Sequence, residues 1–104
     1  VTIADFVLHM TVESNRTVYQ SMVSMLSERQ KEILFAIAKE GKASGITSAE
    51  FIRKHGLYSP SSVQSSVKQL LEKEFITKEE NSYQIYDRFF GLWLAKTYGT
   101  GYSL

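Results

Sequence analysis

The clearest alternation of apolar and polar positions along the chain lies between Pro60 and Glu72. Its apolar residues recur at helical spacing and form one stripe, which consists of Val63, Val67, Leu70 and Leu71. In front of it, Ser59 is a good N-cap, and Pro60 suits the first helical position because its missing N–H would have no partner there. At about 100° per residue, the opposite face is polar and consists of Ser61, Ser65, Lys68, Gln69 and Glu72. The sequence therefore predicts an amphipathic helix.

Two further helices are predicted upstream by their start signals. Ser27 is followed three residues later by Gln30, which is a capping-box pattern, and Gly41 ends the apolar periodicity that begins there. Thr47 and Glu50 repeat the capping-box pattern at the start of the next helix. The three helices follow one another with short connections, as in a helix-turn-helix.

Strand patterns flank these helices. Ile46 is expected to form a short strand, while residues 75–78 and 83–87 alternate in polarity around a turn at 79–82. Such a hairpin after a helix-turn-helix is typical of a wing. The predicted fold class is therefore mainly α, a winged helix-turn-helix over residues 27–87 with a two- or three-stranded sheet and additional helices at both ends.

The first residues of the chain, Thr2 to Leu26, are predicted to be helical. A break is expected between Glu13 and Thr17, because the serine, asparagine and threonine found there favour caps over helix interiors. The apolar stripe of this region consists of Ile3, Phe6, Val7, Met10, Val18, Met22, Met25 and Leu26. We expect this stripe to be covered, because large apolar patches are rare on the surface of monomers.

The last predicted helix begins at Asp87, which is a good N-cap. Its apolar residues are Phe89, Phe90, Trp93, Leu94 and Tyr98. We expect them to close the core against the first helices, and an aromatic ligand-binding box is the alternative. The chain is thus divided into a helical extension (1–26), the winged helix (27–87), and a C-terminal aromatic helix with a loose tail at 100–104 that belongs to the same domain (88–104).

Composition and charge limit the possible partners. The 104 residues carry a formal net charge of +1, so no strong field draws the chain to nucleic acid or to anionic lipid. The chain has no cysteine and no stretch that approaches the roughly 20 apolar residues of a membrane span. We expect a cytoplasmic protein without a membrane partner. Because the chain begins with Val1 rather than methionine, we also expect a fragment of a longer protein.

No pattern in the sequence indicates catalysis, a metal site or a cofactor. Neither His9 nor His55 stands in a pattern with a serine and a carboxylate, and two separate histidines are too few for zinc. The loop from Gly41 to Ser44 is similar to a phosphate loop, but Ala36 occupies the position where a P-loop has its first glycine. We therefore expect a chain that is not an enzyme and neither binds nor hydrolyses ATP.

A resemblance to a known family rests on three segments, LSERQKEILFAIAKEG, SAEFIRKHGLYSPSSVQSSVKQLLEKEFI and YQIYDRFFGLWL. The most specific parts are residues 59–64 and 86–94. The chain resembles the C-terminal winged-helix domain of archaeal-type P-loop ATPases of the AAA+/STAND kind, which also occur in bacteria. The resemblance implies a parent protein that binds and hydrolyses ATP in a preceding domain. The ATPase motifs have no matching positions here, so no catalytic or nucleotide-binding residue is carried over.

The sequence departs from this family at Glu74, where a small residue, often glycine, is usual. A glutamate held at positive φ would cost about 1 kcal/mol. We therefore expect the end of the preceding helix to be shaped differently in this chain.

Two binding functions remain open for the winged helix. For DNA, the residues available are Arg53, Lys54, Ser61, Ser62, Ser65, Lys68, Gln69 and Lys78. Serines and lysines can contact phosphates, and Gln69 could read adenine. Arg53 and Lys54 also suit the negative end of their helix dipole, which is a purely structural role.

The charge balance argues against strong DNA binding. Residues 27–87 contain nine basic and nine acidic side chains, and Glu72 lies on the same face as Lys68. Any DNA binding is therefore expected to be weak and sensitive to salt. We favour a docking or regulatory module that packs against the ATPase domain of the parent. The alternative is a free-standing dimeric transcription regulator that pairs through residues 2–26.

Overall fold

A computed structural model describes residues 2–99, and over these residues the chain forms six α-helices and a small antiparallel sheet. In chain order the elements are α1 (Ile3–Ser14), α2 (Arg16–Ser24), α3 (Glu28–Glu40), β1 (Ala43–Ser44), α4 (Ala49–His55), α5 (Pro60–Glu72), β2 (Ile76–Glu79), β3 (Ser82–Ile85) and α6 (Arg88–Leu94). A π-helical turn, Ala95–Gly99, follows α6. The predicted fold class is confirmed. The tail predicted for 100–104 lies outside the described residues.

Most of the predicted helix starts are confirmed by their capping hydrogen bonds, but the start of α4 is not. Thr47 was expected to cap α4, whereas the Ser48 hydroxyl accepts the N–H of Phe51 at 3.1 Å. The reason lies in the preceding turn. The N–H of Ser48 donates to the carbonyl of Gly45, so Thr47 is held inside the turn and the helix begins one residue later.

The sheet has three strands in the order β1-β3-β2. β2 and β3 form the hairpin, in which Ile76 lies opposite Ile85 and Glu79 opposite Ser82. The prediction of a strand at Ile46 is wrong, because β1 lies earlier in the chain and pairs with β3 through Ala43 and Ser44. A positive φ at Gly45 turns the chain away from the sheet, and Ile46 instead places a buried side chain in the core.

Aromatic residues of α6 close the core, as predicted for Phe90 and Trp93, whose side chains are almost fully buried. Tyr19 of α2 packs on both, with ring centroids 5.1 Å from Phe90 and 5.5 Å from Trp93. The same prediction is wrong for Phe89 and Tyr98, which are partly exposed. Phe89 lies about 100° around the helix from Phe90, and the Tyr98 ring stacks on Phe35 at the surface.

The predicted break near residue 15 is confirmed, since Asn15 separates α1 from α2. The expectation that the apolar stripe is covered is wrong for α1, because Val12 is its only buried residue. Within residues 2–99, α1 is held against the rest of the molecule near its C-terminal end, where Lys96 forms an ion pair with Glu13 at 2.9 Å. The first two turns of the helix, residues 3–10, are therefore exposed among the described residues.

The end of α5 is not shaped differently, contrary to expectation, because Glu74 adopts a φ of +62°. Its N–H donates to the carbonyl of Leu71, and the N–H of Phe75 donates to the carbonyl of Leu70. These two bonds form a Schellman motif. Gly56 ends α4 with the same pair of bonds and a φ of +63°, so a glutamate does here what a glycine does there.

We expect Glu74→Gly to raise the free energy of unfolding by about 0.5–1 kcal/mol, because relief of the left-handed strain exceeds the added entropy of the unfolded chain. Chemical denaturation measures the change. The matched control is Lys73→Gly, where φ is −85° and glycine should destabilise the protein. Equal effects of the two substitutions would contradict the assignment of strain to Glu74.

Candidate nucleic-acid or partner interface

The exposed face of α5 carries four of the residues predicted for binding. They are exposed, as their helical spacing predicts: Ser61, Ser65, Lys68 and Gln69. Ser62 is only half-buried, and its N–H donates to the Ser59 hydroxyl at 3.2 Å as part of the N-cap. The two outer serines thus remain available to a partner, while Ser62 contributes mainly to the start of the helix.

The structure brings Lys68 and Lys78 together, although they are far apart in sequence. Both line a groove of about 400 Å³ between α5 and the β2–β3 hairpin, which we call the wing groove. The Lys78 ammonium lies 5.5 Å from the centre of the Tyr83 ring, within the range of a cation–π contact. The remaining lining residues are Gly45, Ile46, Thr47, Gln64, Val67, Leu71, Asn81 and Tyr83.

Sequence reasoning missed Gln64, Asn81 and Tyr83 as members of this surface. Gln64 precedes Lys68 by one helical turn, so its position on the same face could have been derived from the spacing. Asn81 and Tyr83 become neighbours of α5 only through the tertiary placement of the hairpin, for which the sequence contains no local signal.

Gln69 is exposed on α5, but its side chain is tied to α3 by a hydrogen bond. Its amide oxygen accepts a hydrogen bond of 2.6 Å from the buried Gln30 of α3. The oxygen of Gln30 in turn accepts the N–H of Ser27 at 3.0 Å, so one chain of bonds links the start of α3 to α5. Bidentate reading of adenine needs both ends of a glutamine amide. To read adenine, Gln69 would have to share its oxygen between Gln30 and the base or break its bond to Gln30.

Arg53 and Lys54 do not join the wing groove. The Lys54 ammonium lies 2.8 Å from the Glu40 carboxylate, which raises the pKa of Lys54. Lys54 lines a separate hollow of about 280 Å³ together with Phe35 and Tyr98. Arg53 is exposed in the last turn of α4 and forms no ion pair with any residue between 2 and 99.

Acidic side chains surround the wing groove without lining it. Glu72 is exposed at the end of α5, and Glu79 and Glu80 are exposed at the tip of the hairpin. Each would face the phosphates of a duplex that ran along α5 and the wing. The groove itself is therefore positively charged, whereas the exposed surface beside it carries negative charges.

The described residues contain no group of three or more His, Cys, Asp or Glu side chains placed to hold a metal ion. Between residues 2 and 99, no helix is long and apolar enough to cross a membrane.

The arrangement as a whole defines a winged helix: α4 and α5 form a helix-turn-helix that packs on α3, and the β2–β3 hairpin follows as the wing. The family model described as "Probable winged helix domain" matches residues 17–96. The chain belongs to this family. Searches of curated proteins and of solved structures found no significant match.

Proposed function

We propose that this winged-helix domain is a non-catalytic docking module that packs through α1 against the ATPase domain of a longer protein. The observation that carries the proposal is the exposed apolar face of α1. Ile3 is 83% exposed and Phe6 is 58% exposed, and Val7 and Met10 continue the same stripe at helical spacing. Helices of this kind bind partners by laying such a face into an apolar groove.

Burial elsewhere in the molecule makes this exposure unusual. Val12, one turn beyond Leu8 on α1, is buried, and Phe90 and Trp93 of α6 are packed inside the core. Within residues 2–99 many large apolar side chains are thus buried, whereas those on the first two turns of α1 are exposed. A continuous exposed apolar face on a helix generally marks an interaction surface.

The resemblance of the chain to the C-terminal domain of archaeal-type P-loop ATPases supports an ATPase domain as the partner. In that arrangement the winged helix would be carried by the ATPase and would itself perform no chemistry.

The test has two steps. The coding sequence upstream of Val1 should specify a P-loop ATPase domain. In that parent protein, a photoreactive benzoylphenylalanine at Phe6 should crosslink to the ATPase domain, whereas the same group at the exposed Ser65 of α5 should not. An upstream sequence without a P-loop would refute the ATPase partner. Crosslinks from Phe6 to a second copy of this chain would instead support the dimeric regulator.

Weak DNA binding is the second candidate, and the observation that favours it is the shared position of Lys68 and Lys78 in the wing groove. Its affinity should fall steeply with salt, because phosphate contacts release counterions. The exposed Glu72, Glu79 and Glu80 would limit that affinity.

A further inference from the structure

The wing groove is formed by the β2–β3 hairpin, α5 and the turn after β1, and not by α1. Lys78 and Tyr83 lie directly opposite each other on β2 and β3, two residues beyond the buried pair Ile76 and Ile85. Opposed residues share one face of a sheet, and so do residues at a spacing of two. Lys78 and Tyr83 therefore stand on the core-facing side of the hairpin, at the end that extends past the core.

The other walls are supplied by α5 and by the turn after β1. Gly45, at a φ of +61°, directs the chain so that Ile46 and Thr47 border the groove. From α5, Val67 and Leu71 contribute apolar surface, and Tyr83 on the opposite wall is half-buried. A volume of about 400 Å³ lies within the range of sites that accept a ligand or a large side chain.

The charges in the groove are available to a ligand. Neither Lys68 nor Lys78 forms an ion pair with any residue of the described part of the chain, whereas Lys31, Lys54 and Lys96 each do. No carboxylate of residues 2–99 lines the groove. An acidic group that entered between the two lysines would thus meet two cations at once, next to an apolar wall.

The surroundings disfavour a long polyanion. DNA carries one negative charge for about every 1.7 Å of duplex axis, so a duplex that reached both lysines would also pass the exposed Glu72, Glu79 and Glu80. A short peptide avoids these acids, because its carboxylates can be confined to the groove. The apolar walls, which phosphates cannot use, add affinity for a hydrophobic side chain next to the acidic one.

We propose that the wing groove binds an extended peptide segment of a partner protein that carries an acidic side chain next to a large apolar side chain. The carboxylate lies between Lys68 and Lys78, and the apolar side chain packs against Val67, Leu71 and Tyr83. The proposal is independent of the docking role of α1, because no residue of α1 lines the groove.

Short random peptides displayed on phage and selected on the whole chain provide the probe. Selected peptides should be enriched in Asp or Glu beside Phe, Leu, Ile or Trp. Their affinities are then measured by fluorescence anisotropy. We expect Lys68→Ala and Lys78→Ala each to weaken binding by about tenfold, as for loss of a partly exposed charge-assisted bond. Lys73→Ala is the matched control, since Lys73 is exposed at the end of α5 but does not line the groove.

Three results would overturn the proposal. The first is the absence of enrichment, or enrichment without acidic residues. The second is binding that Lys68→Ala and Lys78→Ala leave unchanged. The third is a random-sequence DNA duplex that displaces the selected peptides at physiological salt through the same two lysines, which would assign the groove to nucleic acid. Circular dichroism of the lysine variants verifies that they are folded.

Discussion

Replacing Trp93 by alanine is expected to lower the free energy of unfolding by about 3–5 kcal/mol, the usual range for loss of a large buried side chain. Trp93 is only 1% exposed. Its ring contacts Tyr19 of α2 at 5.5 Å and stacks on Phe90 at 6.3 Å between centroids, so the substitution removes one of the two aromatic contacts of Tyr19 with α6. The surrounding aromatic rings are large and rigid, and they cannot collapse fully into the space left behind.

Denaturant unfolding measures this loss, and Leu92→Ala on the same helix is the matched control. Leu92 is 40% exposed, so Leu92→Ala should lower the free energy of unfolding by less than about 1 kcal/mol. The mass in solution is recorded alongside. A loss below about 1 kcal/mol for Trp93→Ala would mean that the indole does not fill the core. A stable dimer that the substitution dissolves would show that these helices form a seam between two copies.

The architecture could be predicted because its signals are local. A cap such as Ser59 or Asp87 acts through hydrogen bonds to residues two or three positions along the chain, so a short stretch of sequence contains all the information required. The same reasoning failed between Thr47 and Ser48. Both can cap a helix, and the choice depends on a turn that begins at Gly45.

Periodicity could not predict which apolar stripes are covered. The spacing that groups Ile3, Phe6 and Met10 is the same kind of spacing that groups Phe90 and Trp93, but the first set is exposed and the second is buried. A helical pattern determines which residues share a face. Whether another element covers that face depends on where the helix is attached, and the contacts of α1 with the other described residues lie near its C-terminal end.

The candidate site could be predicted only in part for a related reason. Lys68 lies on a helix face that the spacing identifies, whereas its position next to Lys78 follows from how far the hairpin extends past the core. Likewise, the acceptor role of Gln69 toward Gln30 joins residues that are 39 positions apart. Such pairings arise from tertiary packing and have no signature in either segment alone.

Glu40→Ala is expected to lower the free energy of unfolding by about 1–3 kcal/mol at neutral pH, because it leaves a buried donor without a partner. The His55 side chain is 5% exposed, and its Nε2 lies 2.7 Å from the Glu40 carboxylate. An ionised carboxylate can only accept, so this nitrogen donates. Lys54 binds the same oxygen of Glu40 from the surface. The three side chains thus tie the end of α3 to the end of α4.

The loss of stability caused by Glu40→Ala should be larger at neutral pH than in acid. Hydrogen bonds from Lys54 and then His55 hold the pKa of Glu40 below its ordinary value of 4.5. The stabilisation from the charged carboxylate is therefore fully present above pH 4.5 and is lost as the pH falls through the lower pKa of the folded state. The difference in stability between the wild-type chain and Glu40→Ala should accordingly shrink in acid. Glu13, whose pKa is lowered by Lys96, is present in both proteins and cancels in the difference.

Two further variants separate the causes. Glu40→Gln keeps an acceptor for His55 but carries no charge, so it should lose less stability than Glu40→Ala at neutral pH, and its own stability should change less in acid than that of the wild type. Glu72→Ala removes an exposed carboxylate that has no ion pair within residues 2–99, and it should change stability by less than about 0.5 kcal/mol at any pH. Denaturant unfolding at pH values on both sides of 4.5 provides the measurement. If Glu40→Ala matched Glu72→Ala at neutral pH, the cluster would contribute nothing to the attachment of α4.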